Sequence, residues 1–193
     1  MSFENDNFEK QVFMKIVCVS KNLRDKEFSN CTFKKCDFSN SNFSGTLFID
    51  CVFEDCNLSN VKIEDCGFQG VKFKNCKLMG IDFSVIRTLL IEWSFADCAL
   101  EFCNFNKLEI SKTKFINCGI KNCEFLNADL LLADFSGSDL AGSKFQNTVL
   151  RKADFTTARN YYIDPTQNNV KLAKFAYPEI LALLTVFEID LQA

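Results

Sequence analysis

A chain of 193 residues, nearly half of them apolar, has the length of one domain and ample material for a continuous core. Its 22 Lys and Arg against 25 Asp and Glu leave a formal charge of -3, and histidine is absent, so it is neither a strongly basic nucleic-acid binder nor a polyanion. The opening residues MSFENDNFEK are acidic where a signal peptide is basic, and no apolar run approaches membrane-spanning length, which points to the cytoplasm and to reduced cysteines.

Along the chain an apolar residue recurs at every fifth position, a spacing that belongs to neither a helix nor a strand. Residues 1–27 hold it weakly: Phe3, Phe8, Phe13, Cys18 and Leu23 keep the phase without a small partner, and they read as an N-terminal cap with degenerate repeats. Residues 28–83 hold it without a break, from Phe28 through Phe33, Phe38, Phe43, Phe48 and Phe53 to Phe83. Across residues 84–94 the phase slips by two, and Trp93 falls where a small residue would stand; a local bulge that turns the coil explains both. Residues 95–157 resume the repeat, with Phe alternating with Leu or Ile from Phe95 to Phe155.

A short period held this long marks a solenoid, in which each coil covers its neighbours. One five-residue unit makes one side of a coil, with the large centre and the residue two before it pointing inward. Ten of the eleven cysteines (Cys31, Cys36, Cys51, Cys56, Cys66, Cys76, Cys98, Cys103, Cys118 and Cys123) occupy that second position, where cysteine acts as a small hydrophobe. The strict Phe/Leu alternation requires an even number of sides. Four sides give coils of about twenty residues, ladders such as Cys36, Cys56 and Cys76, and about six or seven coils over a rod on the order of 30 Å.

Residues 158–193 end the repeat. Pro178 suits a first helical position and Glu179 the positive helix end. Ile180, Leu181, Leu183, Leu184, Phe187 and Ile189 leave hardly any polar face, so the segment is expected to be a buried α-helix that caps the rod. A cap needs only one apolar face, which makes Ile180, Leu183, Leu184 and Phe187 candidates for a two-fold dimer interface.

Chemistry has little to work with. There is no histidine, no nucleophile motif and no phosphate loop among seven glycines, so neither catalytic residues nor a cofactor is expected. Cys31, Cys36, Cys51 and Cys56 lack the CxxC spacing of a zinc set, and stacked cysteines lie slightly too far apart for disulfides. What remains is surface. Asp97, Asp129, Asp134, Asp139 and Asp154 could form a moderately acidic, partner-binding stripe, diluted by Lys114, Lys144, Arg151 and Lys152. In the first half, charges alternate in sign from coil to coil, which favours pairing along ladders.

The units ADLLL, ADFSG, SDLAG and ADFTT resemble the pentapeptide-repeat family, whose pattern is A(D/N)LXX. The resemblance implies an all-β, right-handed quadrilateral β-helix with a C-terminal capping α-helix. The tail, ARNYYIDPTQNNVKLAKFAYPEILALLTVFEIDL, resembles that of the Qnr-type quinolone-resistance and microcin-immunity branches. That implies a homodimer through the C-terminal ends and binding to DNA gyrase or topoisomerase IV as a DNA mimic. The balanced charge and the lack of a membrane-spanning run give the separate expectation of no direct nucleic-acid and no membrane partner. The modest charge argues against strong mimicry. The alternative is an interaction scaffold with no topoisomerase partner.

Overall fold

In a computed structural model, which describes Phe3 and residues 5–190, the repeat closes into a right-handed quadrilateral β-helix. Each unit runs extended through its apolar centre and then turns a corner at its fifth residue, which adopts positive φ: 53° at Lys35, 59° at Asn40, 57° at Asp55 and 72° at Gly137. This left-handed corner explains why Asn, Asp and Gly recur there, since they adopt it at least strain. Most backbone groups pair with the coils before and after, and a smaller set closes turns within a coil, as Ser41 N–H does to Phe38 O at 3.0 Å. Asp37 N–H donates to Ile16 O at 2.8 Å, and Phe38 N–H donates to Asn57 O at 2.8 Å.

Three ladders of short parallel strands line the rod. Side one carries β1 (Asn7–Glu9), β3 (Glu27–Ser29), β5 (Leu47–Ile49) and β7 (Gly67–Gln69). Side two carries β2 (Val12–Met14), β4 (Thr32–Lys34), β6 (Val52–Glu54), β8 (Val71–Lys74), β10 (Trp93–Ala96) and β12 (Lys114–Ile116). Side three carries β9 (Lys77–Met79), β11 (Ala99–Glu101) and β13 (Gly119–Lys121), and side four is joined by isolated bridges such as Asn104↔Glu124. Partners lie twenty residues apart, as in Phe33↔Phe53, which makes the coil four units long.

On side two the rings of Phe13, Phe33, Phe53 and Phe73, then Phe95, Phe115, Phe135, Phe155 and Phe175, form one column with centroids 4.6 to 5.3 Å apart. Successive rings are nearly parallel, with neighbouring columns meeting them edge-on, as aromatic quadrupoles prefer. Packing is tight: a void among Phe48, Phe68 and Phe83 measures about 10 Å³, smaller than one water's share of liquid volume.

Three features differ from the sequence expectation. Residues before Phe28 are more than a degenerate cap, because β1 and β2 pair in register with the next coil and Phe8 stacks on Phe28 at 4.8 Å. Phe3 closes that end, its ring 5.1 Å from Phe13 and 5.7 Å from Phe8. The ring column therefore spans about 40 Å at the spacing of β-strands, longer than residues 28–155 alone imply.

The terminal helix, Glu179–Phe187, is a 3-10 helix rather than an α-helix, with Pro178 as its N-cap. Leu181 N–H donates to Pro178 O at 3.0 Å. Leu183 enters the core with Ala182 packed against it, while Phe187 is turned away, whereas an α-helical period groups Leu183 with Phe187. The segment is also not wholly buried: Leu183 is, while Ile180, Leu181, Phe187 and Ile189 are exposed. One rod end is too narrow to cover an element that is apolar on every side.

The repeat changes phase across residues 84–94. A 3-10 turn, Phe83–Val85, is capped by Asp82, whose carboxylate accepts from Ser84 N–H. Two additional residues then sit on side one, with an antiparallel bridge between Gln69 and Ile91. Trp93 takes the small inward place, 4% exposed, and its indole N–H donates to Phe68 O at 3.1 Å.

Candidate interaction surface

The recurring geometry of the units gives many outward residues defined work. Where Asp or Asn precedes a centre, its side-chain oxygen accepts the backbone N–H two positions on: Asp129 from Leu131 at 2.8 Å, Asp134 from Ser136 at 2.9 Å, Asp139 from Ala141 at 3.3 Å and Asp154 from Thr156 at 3.0 Å. These are Asx turns that hold the corner. The Thr156 hydroxyl and Lys174 keep the Asp154 carboxyl below its ordinary range, and Asn160 does the same for Asp139.

The five aspartates singled out in the sequence are therefore dispersed. Asp129 stands on side one in a ladder with Glu109 and Val149; Asp134 and Asp154 are neighbours on side two; Asp139 is on side three above Arg159. Asp97 is exposed at the corner that follows Phe95. Asp139 and Asp154 also face cations, Arg159 at 3.7 Å and Lys174 at 3.0 Å. Only Asp134 and Asp154 are brought together as ladder partners, and their carboxylates are held by backbone amides.

Charge pairing along ladders is pronounced. Glu54 lies 2.8 Å from Lys34 in the coil before and 3.8 Å from Lys74 in the coil after, and Arg87 meets Asp65 at 2.7 Å. Every side of the rod carries both signs. Beside the insertion, a groove of about 670 Å³ is lined by Asp50, Lys72, Glu92, Trp93, Lys112 and Lys114. Sequence reasoning missed this groove, because it arises only where the two additional residues displace side one from the corner.

All eleven cysteines are free thiols and buried. Cys36 N–H donates to the Cys56 sulfur at 3.4 Å, and Cys76 N–H to Cys98 at 3.5 Å, so the ladder read from spacing is present. Further along, Ser138 takes the same place and accepts from Cys118 N–H at 2.9 Å. Burial pushes the Cys51 thiol up to about 12 and that of Cys66 well above the ordinary range. Among the described residues no group of His, Cys, Asp or Glu is arranged to hold a metal ion.

At the C-terminal end, Leu183 seals the last coil, Leu184 is half-buried, and Ile180 and Phe187 are exposed. Tyr177 and Ile189 add to that exposed apolar surface. The four interface candidates are thus divided between sealing the rod and facing outward.

Residues 26–89 match the family model described as "Pentapeptide repeat region", and residues 133–159 match "Pentapeptide repeats (8 copies)". No curated protein matches the chain closely enough to count as a relative. Among solved structures, a trypsin-treated variant of QnrB1, a plasmid-mediated fluoroquinolone resistance protein, is 19% identical, with TM-score 0.68 over 94% of this chain and all of that one. A second trypsin-treated QnrB1 variant is 19% identical, with TM-score 0.63 over 97% and 92% of the two chains. HetL, a pentapeptide repeat protein of the cyanobacterium Nostoc, is 15% identical, with TM-score 0.46 over 88% and 87%. Twenty-residue coils, inward small residues and Asx-turned corners agree with the two family-model matches, which mark residues 26–89 and 133–159 as pentapeptide repeats, and the rod resembles QnrB1 in fold.

Proposed function

We infer that this protein is a non-enzymatic, cytoplasmic interaction protein that binds a type II topoisomerase, gyrase or topoisomerase IV, in place of a DNA segment. In doing so it modulates the enzyme or protects it from quinolone-like inhibitors. The observation that carries this reading is the rod itself, which matches QnrB1 in fold over 94% of the chain. The exposed Tyr177, Ile180, Phe187 and Ile189 support a homodimer through the C-terminal ends, which would lengthen the rod and cover this apolar surface. Asp97, Asp129, Asp134, Asp139 and Asp154 then serve as separate polar contacts on three sides rather than as one acidic field.

A specific observation favours a second reading. Mixed charge on every side is poor imitation of a polyanion, whose recognition is driven by charge. A scaffold for another protein needs no such field. The test is a gyrase supercoiling assay with the protein titrated in, with and without a fluoroquinolone, repeated for topoisomerase IV decatenation. Inhibition of supercoiling, or relief of drug-induced cleavage, supports the topoisomerase reading. No effect on either enzyme at large molar excess overturns it and leaves the scaffold.

A further inference from the structure

The corner between sides one and two carries a regular ridge in the second half of the rod. Lys112, Leu132, Lys152 and Leu172 occupy the same corner position in successive coils, joined by Lys112 N–H to Leu131 O at 2.8 Å, Leu132 N–H to Arg151 O at 3.0 Å and Lys152 N–H to Lys171 O at 3.0 Å. One coil earlier the insertion projects Leu89 and Leu90, 67% and 70% exposed. Leu132 is 43% and Leu172 is 66% exposed.

These leucines are doubly unfavourable choices. Leu90, Leu132 and Leu172 have φ of 56°, 60° and 61°, the left-handed region where most other corners use Asn, Asp or Gly and the rest chiefly Lys, with Phe102 the one other large apolar corner. Each also leaves an apolar side chain in water. Neither feature serves the stability of the single chain, so both point to an occupant.

The ridge is basic as well as apolar. Lys112, Arg151, Lys152 and Lys171 are exposed, and none has a carboxylate within ion-pair distance among the described residues. The nearby carboxylates are Asp129, Asp134 and Asp154, which are half-buried on the flanking sides and bonded to backbone amides, and Glu92 and Glu109, which are exposed, Glu92 in the groove it shares with Lys112. The three aspartates are recessed while the cations project. A second copy does not fit: a two-fold axis through Leu132 that joins Leu90 to Leu172 also sets Lys112 against Lys152. A peptide strand does not fit either, because the corner amides are spent on neighbouring coils and a convex ridge has no edge or pocket for it.

We propose that this ridge is a peripheral docking edge for an anionic lipid bilayer, with the leucines entering the interface and the cations meeting lipid phosphates. A straight convex edge suits a deformable surface, and basic residues beside exposed leucines match its chemistry. No helix among the described residues is long and apolar enough to cross a membrane, and the docking needs none. The expectation of no membrane partner rested on that absence of a span, which a corner column does not need.

The experiment is sedimentation of the full chain with vesicles of phosphatidylcholine alone, or of equal parts phosphatidylcholine and phosphatidylglycerol. The expected result is salt-sensitive binding to the anionic vesicles alone. It should weaken about tenfold or more in Leu132→Asn/Leu172→Asn and in Lys112→Gln/Lys152→Gln, and be unchanged in Lys62→Gln/Lys107→Gln on side four. Asn is the residue the repeat itself uses at corners, so the leucine variant keeps the fold, which circular dichroism verifies. Absence of binding to anionic vesicles at low salt, equal binding to neutral ones, or undiminished binding by both ridge variants overturns the proposal. Ridge-dependent binding of polyglutamate without binding to vesicles also overturns it, in favour of an acidic protein partner.

Discussion

Replacing Phe115 by Ala tests whether the rod is held by its ring column. Phe115 is 0% exposed, stacked 5.0 Å from Phe95 and 5.1 Å from Phe135, with edge contacts to Phe105 and Phe125 at 6.0 and 6.1 Å. Truncation of a buried Phe costs about 3–5 kcal/mol. The upper part of that range is expected here, since two stacked neighbours are lost and hydrogen-bonded coils on both sides resist collapse into the cavity. Phe175 provides the internal control: it is half-buried at the end of the same column, with Phe155 at 5.2 Å and Tyr161 at 5.7 Å but no ring beyond. Its truncation should cost roughly half as much, about 2 kcal/mol. Urea titration followed by far-ultraviolet circular dichroism measures both, with midpoints compared at matched slopes. Equal losses for the two variants, or a larger loss at Phe175, would refute the nearest-neighbour reasoning.

Other consequences follow from the same geometry. The eleven thiols should react with a disulfide reagent negligibly in the native protein and together on unfolding, with Cys18, 7% exposed in an early coil, the first to react. Early modification of the Cys36 to Cys118 ladder would mean that the coils open locally. The Tyr161 hydroxyl is buried without a hydrogen-bond partner among the described residues, so Tyr161→Phe should be neutral or stabilise by about 1 kcal/mol in the same urea assay; a clear loss would reveal a partner for it. Asp154 has its folded pKa held below the unfolded value by Thr156 and Lys174, so its contribution is present above the ordinary carboxyl pKa and is lost as pH falls through the folded one. Asp154→Asn should therefore flatten the acid side of the stability curve, read from urea midpoints between about pH 6 and about pH 3.

Much of the architecture was legible in the chain because each unit is a local rule. An apolar centre must be inside, a small residue must fit between two centres, and a corner must accept positive φ, so Phe33, Cys31 and Lys35 already describe one side of a coil. Four-sidedness was legible too, since alternation of Phe and Leu stacks like on like only for an even count. The candidate surface was far less so. An aspartate before a centre looks like available negative charge, but at Asp129 and Asp134 the carboxylate is turned to a backbone amide. Nothing in the residue letters separates those two roles.

By itself the sequence determined the register, the inward cysteines, the site of the slip and the apolar tail, since these follow from which atoms leave water and which backbone angles a residue tolerates. Tertiary structure alone decided the rest. It set Arg159 against Asp139, opened the groove beside Trp93, and aligned Leu132 with Lys152 and Leu172 on one edge. It also chose a 3-10 period for the tail, so that Leu183 seals the rod while Phe187 faces out. These outcomes depend on residues twenty positions apart meeting across coils, and on how much of an apolar segment one rod end can cover. A five-residue pattern carries information about neither.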